Sequence, residues 1–373
     1  MRVLIVNYYE ISKLPPVRNL VDILLKNGCI VTLVSIDKNN QYKTKQNGKF
    51  TFYKIEEEKN NIISRGINFI SRKKKLRELV NDLMKNHDIL WTTTDRTARD
   101  LGPVLFKYKH VMQLMELIYD IPYFPRQKII QSNIKKYAKK AYKVVVPEYN
   151  RAQIINAWWG LEKVPIVLPN KQSVEEITDV PDDIKERLQK IENETRKIIL
   201  YQGVIRKERP IWMHLLKAID ELGENYVLYI MGAKNEEVER LINTYKNVKH
   251  IDFIAPPYHL LVTQKAYIGI LSYVPRKDDI LHYSKLNEIY CAPNKLYEYS
   301  GYKVPMIGND IPGLRYTIGY NAMGVIVDKF EPTYIKTAIK TIEMNYREFS
   351  QNCGEFYNMT DMDSIVMKEI LDM

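Results

Sequence analysis

Lys295 and Glu298 stand three residues apart in the stretch Ala292-Pro293-Asn294-Lys295-Leu296-Tyr297-Glu298-Tyr299. Pro293 suits a first helical turn, where its missing N–H would be unpaired anyway. A helix starting there puts both side chains on one face, beside its positive end. A lysine with backbone amides can hold a phosphate at such a place, and a carboxylate can grip sugar hydroxyls. A nucleoside diphosphate carries both groups. The alternative reading is an amphipathic helix with a surface ion pair. Gly301 and Val304-Pro305-Met306-Ile307 then read as a tight exit into a buried strand.

The elements that must position this stretch follow from the hydrophobic pattern. At 373 residues two domains are expected. Apolar runs at 2–6, 30–34, 89–91, 111–114, 144–146 and 166–168 alternate with helical patterns such as 17–26, closed by Gly28. That alternation predicts a parallel sheet. A polar, acidic stretch at 171–196, with Pro181 inside it, reads as a linker. A second α/β set has strands at 197–201, 226–231, 248–251, 266–271, 304–307 and 324–327, with helix from about 332 to 373. A ligand is expected where the strands end, in a cleft between the domains.

Composition narrows the chemistry. Residues 1–170 carry 30 Lys and Arg against 15 Asp and Glu, and the rest carry 26 against 30, so the net charge of +11 sits in the first half. Its partner is expected to be anionic: a membrane surface, a lipid diphosphate or nucleic acid. The densest basic runs are Arg72, Lys73, Lys74, Lys75 and Arg77, and Lys128, Lys135, Lys136, Lys139, Lys140 and Lys143 among apolar residues at helical spacing. These predict docking on an anionic membrane; lysine-rich solvated helices are the other reading. Nucleic acid is not expected, because no aromatic stacking pattern accompanies the charge. Three scattered cysteines without CxxC spacing, no apolar run near ~18 residues and an opening run too short for a signal peptide predict a cytoplasmic protein, peripheral at the inner face of the membrane. Tyr8, Tyr9, Pro15 and Pro16 stand where a dinucleotide fold has its glycines, which argues against nicotinamide or flavin. Asp182-Asp183 and Asp278-Asp279 read as helix-start and loop acids, so no metal is expected.

Five pieces occur in a particular order: Tyr201-Gln202-Gly203 with Arg206 and Arg209; Ile230-Met231-Gly232; the strand 266–271; Pro293 to Tyr299; and Pro312-Gly313-Leu314-Arg315. In these the second half resembles the retaining glycosyltransferases of the GT-B fold, particularly family 4 and its capsule and exopolysaccharide relatives. The resemblance implies two tandem Rossmann-like doubly wound domains. These are an acceptor domain over 1–170, the linker 171–196, a nucleotide-sugar domain over 197–345, and a helical segment over 346–373 packing back on the first domain. It implies transfer of a sugar from a nucleotide-diphosphate donor, UDP-sugar favoured over GDP-sugar, to a glycan or lipid-diphosphate-linked glycan, in bacterial surface polysaccharide synthesis.

The same resemblance assigns roles. Gly203 and Gly232 let backbone approach the donor. Arg209 neutralises its diphosphate, Lys295 adds a second charge, and Arg206 is a further donor-binding residue. Asn294 and Leu296 offer contacts at the helix start, Glu298 grips the ribose, and Phe253 and Ile254 stand where backbone reads the base. The family commonly has a pair of glutamates separated by seven residues, of which Glu298 would be the second. The first falls on Tyr290 here, with Asn287 and Glu288 close by. Transfer in this fold uses the leaving diphosphate to help deprotonate the acceptor, so charge stabilisation by Arg209, Lys295 and a helix N-terminus matters more than a strong base. Glu116, closing the strand at 111–114, is the candidate acceptor contact or base, with Glu148 as a second. Two other readings stay open: a non-catalytic sugar-nucleotide-binding partner subunit, and a sugar-nucleotide 2-epimerase on the same fold.

Overall fold

The computed structural model describes every residue except 39–46, 56–64, 124–129, 175–176, 204, 206–210 and 276–283; at 65–69 and 211–212 it describes backbone only. The chain forms two compact units. Unit 1 is Met1–Asn170 with Arg276–Asn287 and Asp361–Met373; unit 2 is Lys171–Pro275 with Glu288–Thr360.

Unit 1 is built on seven parallel strands: β1 (Arg2–Glu10), β2 (Ile30–Ile36), β3 (Phe50–Lys54), β4 (Ile89–Thr92), β5 (His110–Gln113), β6 (Lys143–Val146) and β7 (Ile166–Val167), in the order β3-β2-β1-β4-β5-β6-β7. Val3, Leu4, Ile5 and Val6 are fully buried, as a central parallel strand covered on both faces requires. The helix Pro15–Lys26 starts on prolines and turns Val17, Leu20, Val21 and Leu24 inward at helical spacing. Gly28 follows it at φ +81°, a left-handed conformation that suits glycine. One strand, β3, goes beyond the sequence reading. It is an edge strand with Thr51, Tyr53 and Lys54 facing outward or half-exposed, so it lacks a continuous apolar run.

Unit 2 has six parallel strands: β8 (Lys197–Gln202), β9 (Tyr226–Met231), β10 (Val248–Ile251), β11 (Ile268–Leu271), β12 (Met306–Asn309) and β13 (Gly324–Val327), in the order β10-β9-β8-β11-β12-β13. In both sheets the order in which strands are added reverses once: in unit 1 between β1 and β4, in unit 2 between β8 and β11. At such a switch point the helices leave to opposite faces, and the strand ends leave a crevice.

Two boundary expectations differ from the structure. The stretch 171–196 is folded into unit 2, with the helix Asp182–Glu192 burying Ile184, Leu188 and Ile191 in that unit's core. The C-terminal helical segment is divided. The helix Tyr346–Met359 belongs to unit 2, whereas Met362, Val366, Ile370 and Leu371 complete the core of unit 1 beneath β1 and the helix Pro15–Lys26. Asp363 accepts from Asn27 Nδ2 at 2.6 Å and Asp372 from Lys143 Nζ at 3.2 Å, holding that segment down. Apolar residues inside a polar-looking sequence explain both differences.

Candidate functional site

In unit 2 the strand ends are shaped by glycine. Gly203 follows β8 at φ +148°, and a Cβ there would stand 2.9 Å from the Tyr201 hydroxyl. Gly232 follows β9, and its Cβ would stand 2.3 Å from the Gly203 carbonyl oxygen. The two backbones touch because neither residue has a side chain, which leaves bare main chain at the ends of adjacent strands. Gly203 N–H donates to Met231 O at 2.9 Å and Gly232 N–H to Ile251 O at 3.1 Å, so this approach is fixed by the sheet ladder.

After β11 comes the helix Asn294–Gly301, with Pro293 extended at its N-cap, one position earlier than the first-turn reading. Its seat is rigid. Tyr299 is fully buried, donates to Leu200 O at 3.0 Å, and lies flat on Gly269 of β11, where a Cβ would meet its ring at 2.6 Å. Gly313, of the Pro312-Gly313 turn, packs against the Cys291 backbone, where a Cβ would be 2.6 Å from its nitrogen. That contact holds the loop entering the helix. Asn294 and Lys295 are half-exposed, Leu296 is buried in the core, and Lys295 makes no ion pair among the described residues.

Glu298 is 3 % exposed. Its Oε1 accepts from Gln172 Nε2 at 2.7 Å and lies 3.2 Å from His259 Nε2. Its Oε2 is buried and accepts nothing among the described residues. The surface ion pair with Lys295 is therefore not formed. A buried carboxylate oxygen left unpaired costs about 1–3 kcal/mol, which a ligand hydroxyl recovers. Gln172 and His259 escaped sequence reasoning; they lie far from Glu298 along the chain, and no spacing signals them.

The remaining unit 2 candidates are scattered in character. Phe253 is exposed and its carbonyl accepts from Arg187 at 3.3 Å, while Ile254 is buried in the core. Arg206 and Arg209 lie outside the described residues. Asp182 and Asp183 occupy the first turn of their helix, as expected for helix-start acids.

In unit 1 Glu116 follows β5 and is half-buried. Asn287 Nδ2 donates to its Oε2 at 2.7 Å, and Leu117 N–H donates to Asn287 Oδ1 at 2.7 Å. Buried Arg151 fixes this corner, donating to Met115 O at 2.9 Å and Asn287 O at 2.8 Å. Glu148 caps the helix Tyr149–Trp159, accepting from Arg151 N–H at 2.9 Å, which is a structural task. An acid absent from the sequence reading stands beside Glu116. Asp95, just past β4, is 3 % exposed, and its Oδ2 has no partner among the described residues. Burial, reinforced by the Glu116 charge against Arg96 and Arg99, pushes its carboxyl up to about 6. Its signal in the sequence was the same as that of Glu116, an acid one turn beyond a strand.

The basic runs are only partly surface. Lys73 is buried 3.4 Å from Asp100 and over the Tyr123 ring, and burial lowers its ammonium to about 8. Arg99 pairs with Asp100 at 2.8 Å, and Arg77 donates to Asp100 O at 2.9 Å. Only Lys74 and Lys75 of the first run are exposed, because the others hold the helix Arg65–Leu83 onto Asp100. In the second run Lys136, Lys139 and Lys140 are exposed, Lys135 covers the Tyr119 ring, and Lys128 lies outside the described residues. Among the described residues no helix is long and apolar enough to cross a membrane.

No family model and no curated protein matches the sequence. Solved structures do. A glycosyltransferase from Rickettsia africae superposes with TM-score 0.69 at 12% identity, covering 100% of this chain and 97% of that one. Anabaena HepE in complex with UDP-glucose gives 0.68 at 11% identity, covering 100% of both chains. Sucrose-phosphate synthase from Thermosynechococcus elongatus gives 0.66 at 14% identity, covering 100% of this chain and 98% of that one. At these identities the likeness is one of fold: an α/β chain of two parallel sheets with flanking helices, the architecture of the GT-B class.

Proposed function

We propose that the chain is a glycosyltransferase that moves a sugar from a nucleoside-diphosphate donor to a glycan or lipid-linked glycan. The observation that carries this is Glu298, a buried carboxylate with one oxygen held by Gln172 and His259 and the other without a partner among the described residues, in the unit whose switch-point strand ends carry no side chains. A ribose hydroxyl pair suits Oε2, and a diphosphate suits main chain beside Lys295 at a helix N-terminus. Arg206 and Arg209 supply further charge to the diphosphate in this reading, each charged contact contributing about 3 kcal/mol in the transition state. Phe253 offers main chain to the base, whereas Ile254 serves the core. Transfer proceeds with retention and without a metal, UDP-sugar being preferred over GDP-sugar. The neighbours described as a glycosyltransferase and as holding UDP-glucose support the class.

The setting is bacterial surface polysaccharide synthesis at the cytoplasmic face, with Lys136, Lys139 and Lys140 toward anionic lipid. Calorimetric titration of UDP and GDP into wild type and Glu298→Ala tests the core of the reading. Micromolar binding of one nucleotide, lost in the variant, supports it; no binding of either to the folded wild type overturns it. A second reading, the 2-epimerase, gains from the Asp95 and Glu116 carboxylates, which stand beyond adjacent strands of unit 1. Proton NMR of a UDP-sugar incubated without acceptor decides: an epimer appearing there replaces transfer with epimerisation.

A further inference from the structure

Two carbonyl groups beside the glycine contact of unit 2 are held by side chains. Gly232 N–H continues the ladder to Ile251 O, but β10 ends there, and the Gly232 carbonyl accepts instead from His250 Nε2 at 2.9 Å. A carbonyl only accepts, so Nε2 carries the proton. Asp252 stands 4.0 Å from the other ring nitrogen, too far for a hydrogen bond. In a planar trans peptide the C=O and the following N–H point in opposite directions. With its carbonyl drawn toward β10, this peptide aims Ala233 N–H to the side on which β8 lies. Ala233 is exposed, and its N–H makes no hydrogen bond among the described residues. The loop after β8 is held in the same way. Asn235 Nδ2 donates to Ile205 O at 2.9 Å, while its Oδ1 caps the helix Glu236–Thr244 by accepting from Val238 N–H at 2.9 Å. Backbone N–H groups bind a phosphate and carbonyl oxygens repel it, so an anion here needs both carbonyls turned aside. Two acids in the first turn of that helix are answered by cations: Glu237 by Arg240 at 2.6 Å and Glu239 by Lys234 at 3.4 Å.

We infer that His250 and Asn235 are positioning residues for the donor diphosphate, holding the Gly232 and Ile205 carbonyls aside and leaving Ala233 N–H to meet it. The role rests on the nucleotide-donor reading. Titrations of UDP and of uridine into the full chain, followed by ligand-observed NMR, separate phosphate from nucleoside (GDP and guanosine take their place if only GDP binds). His250→Leu puts an apolar side chain where the donor stood. Asn235→Ser removes the clamp, keeps a capping oxygen and adds no charge. Each is expected to weaken UDP binding about tenfold, the scale of one hydrogen bond to a charged group, and to leave uridine binding unchanged. His250→Gln, whose amide nitrogen reaches as far as Nε2, is expected to bind UDP as wild type does. If His250→Leu or Asn235→Ser binds UDP like wild type, that residue loses the role while the donor reading stands. Equal weakening of UDP and uridine marks a merely structural role and also overturns the inference. If wild type binds neither nucleotide, the donor reading falls and takes this assignment with it. Asn235→Ser, at an exposed position, keeps the test valid if His250→Leu fails to fold.

Discussion

Two parallel sheets in one chain reverse at their first strands, yet their switch points carry opposite chemistry. In unit 2 the crevice between β8 and β11 is bordered by Gly203, packed against Gly232 of the neighbouring β9, and by the start of a helix bearing Lys295: backbone without side chains, and positive charge. In unit 1 the crevice between β1 and β4 is bordered by Asn7, three threonines and Asp95, with Glu116 one strand further on. Asn7 Oδ1 accepts from Thr93 Oγ1 at 2.9 Å and its amide donates to Ser35 Oγ at 2.8 Å, so this edge is a closed network of hydroxyls and amides. The scaffold supplies a crevice; the residues one step beyond the strands decide whether it favours phosphate or hydroxyl. Glu298 shows that unit 2 has both, since its carboxylate sits one turn inside the helix whose start is positive.

The sharpest way to break this comparison is to exchange carboxylates for silent side chains on each side. Glu298→Ala removes charged acceptance of two hydroxyls, expected to weaken UDP binding by about 4 kcal/mol, whereas Glu116→Gln leaves UDP binding untouched by calorimetry. Equal losses would mean that the two carboxylates do not divide the work. Next in size is Gly232→Ala, whose new Cβ meets the Gly203 carbonyl at 2.3 Å. Backbone cannot yield as a flexible side chain does, so a loss of about 3 kcal/mol in stability is expected, read as a lowered melting temperature, with nucleotide binding weakened as well.

Asp95→Asn sharpens the contrast through pH. The folded carboxyl sits at about 6, above its ordinary range, so the native state binds this proton more tightly than the unfolded chain. Stability therefore falls as pH rises from about 4 to about 6 and then levels. The variant lacks this slope. It is expected to match wild type near pH 4 and to exceed it by somewhat under 3 kcal/mol above pH 7, measured as the gap in melting temperature across that range. A constant gap at all pH values contradicts the assignment. The smallest effect concerns charge: Lys139→Gln is expected to weaken co-sedimentation with anionic vesicles about fivefold at low salt, from about 1 kcal/mol per lysine, and to leave neutral vesicles unaffected.

Legibility in the sequence followed the same division. Strands such as β1 and β9 declare themselves because central parallel strands are apolar without interruption, and Glu298 declares itself by the stretch around it. Its partners do not, since Gln172 and His259 reach it only through the fold. The Lys73–Asp100 pair is likewise invisible to spacing, and it turned an expected surface run into an internal brace. Asp95 was within reach: the criterion that picked Glu116 applies equally to an acid three residues beyond β4. What hid it was its burial, which a polar Thr-Thr-Thr-Asp sequence does not suggest.

The residues 361–373 close the core of unit 1, although that unit's sheet is complete by β7. During synthesis every residue of unit 2 has therefore been added before the first unit receives Met362, Val366 and Ile370. The N-terminal half emerges from the ribosome with an apolar groove still open and waits through the making of its neighbour. Its order of birth and its order of completion are reversed.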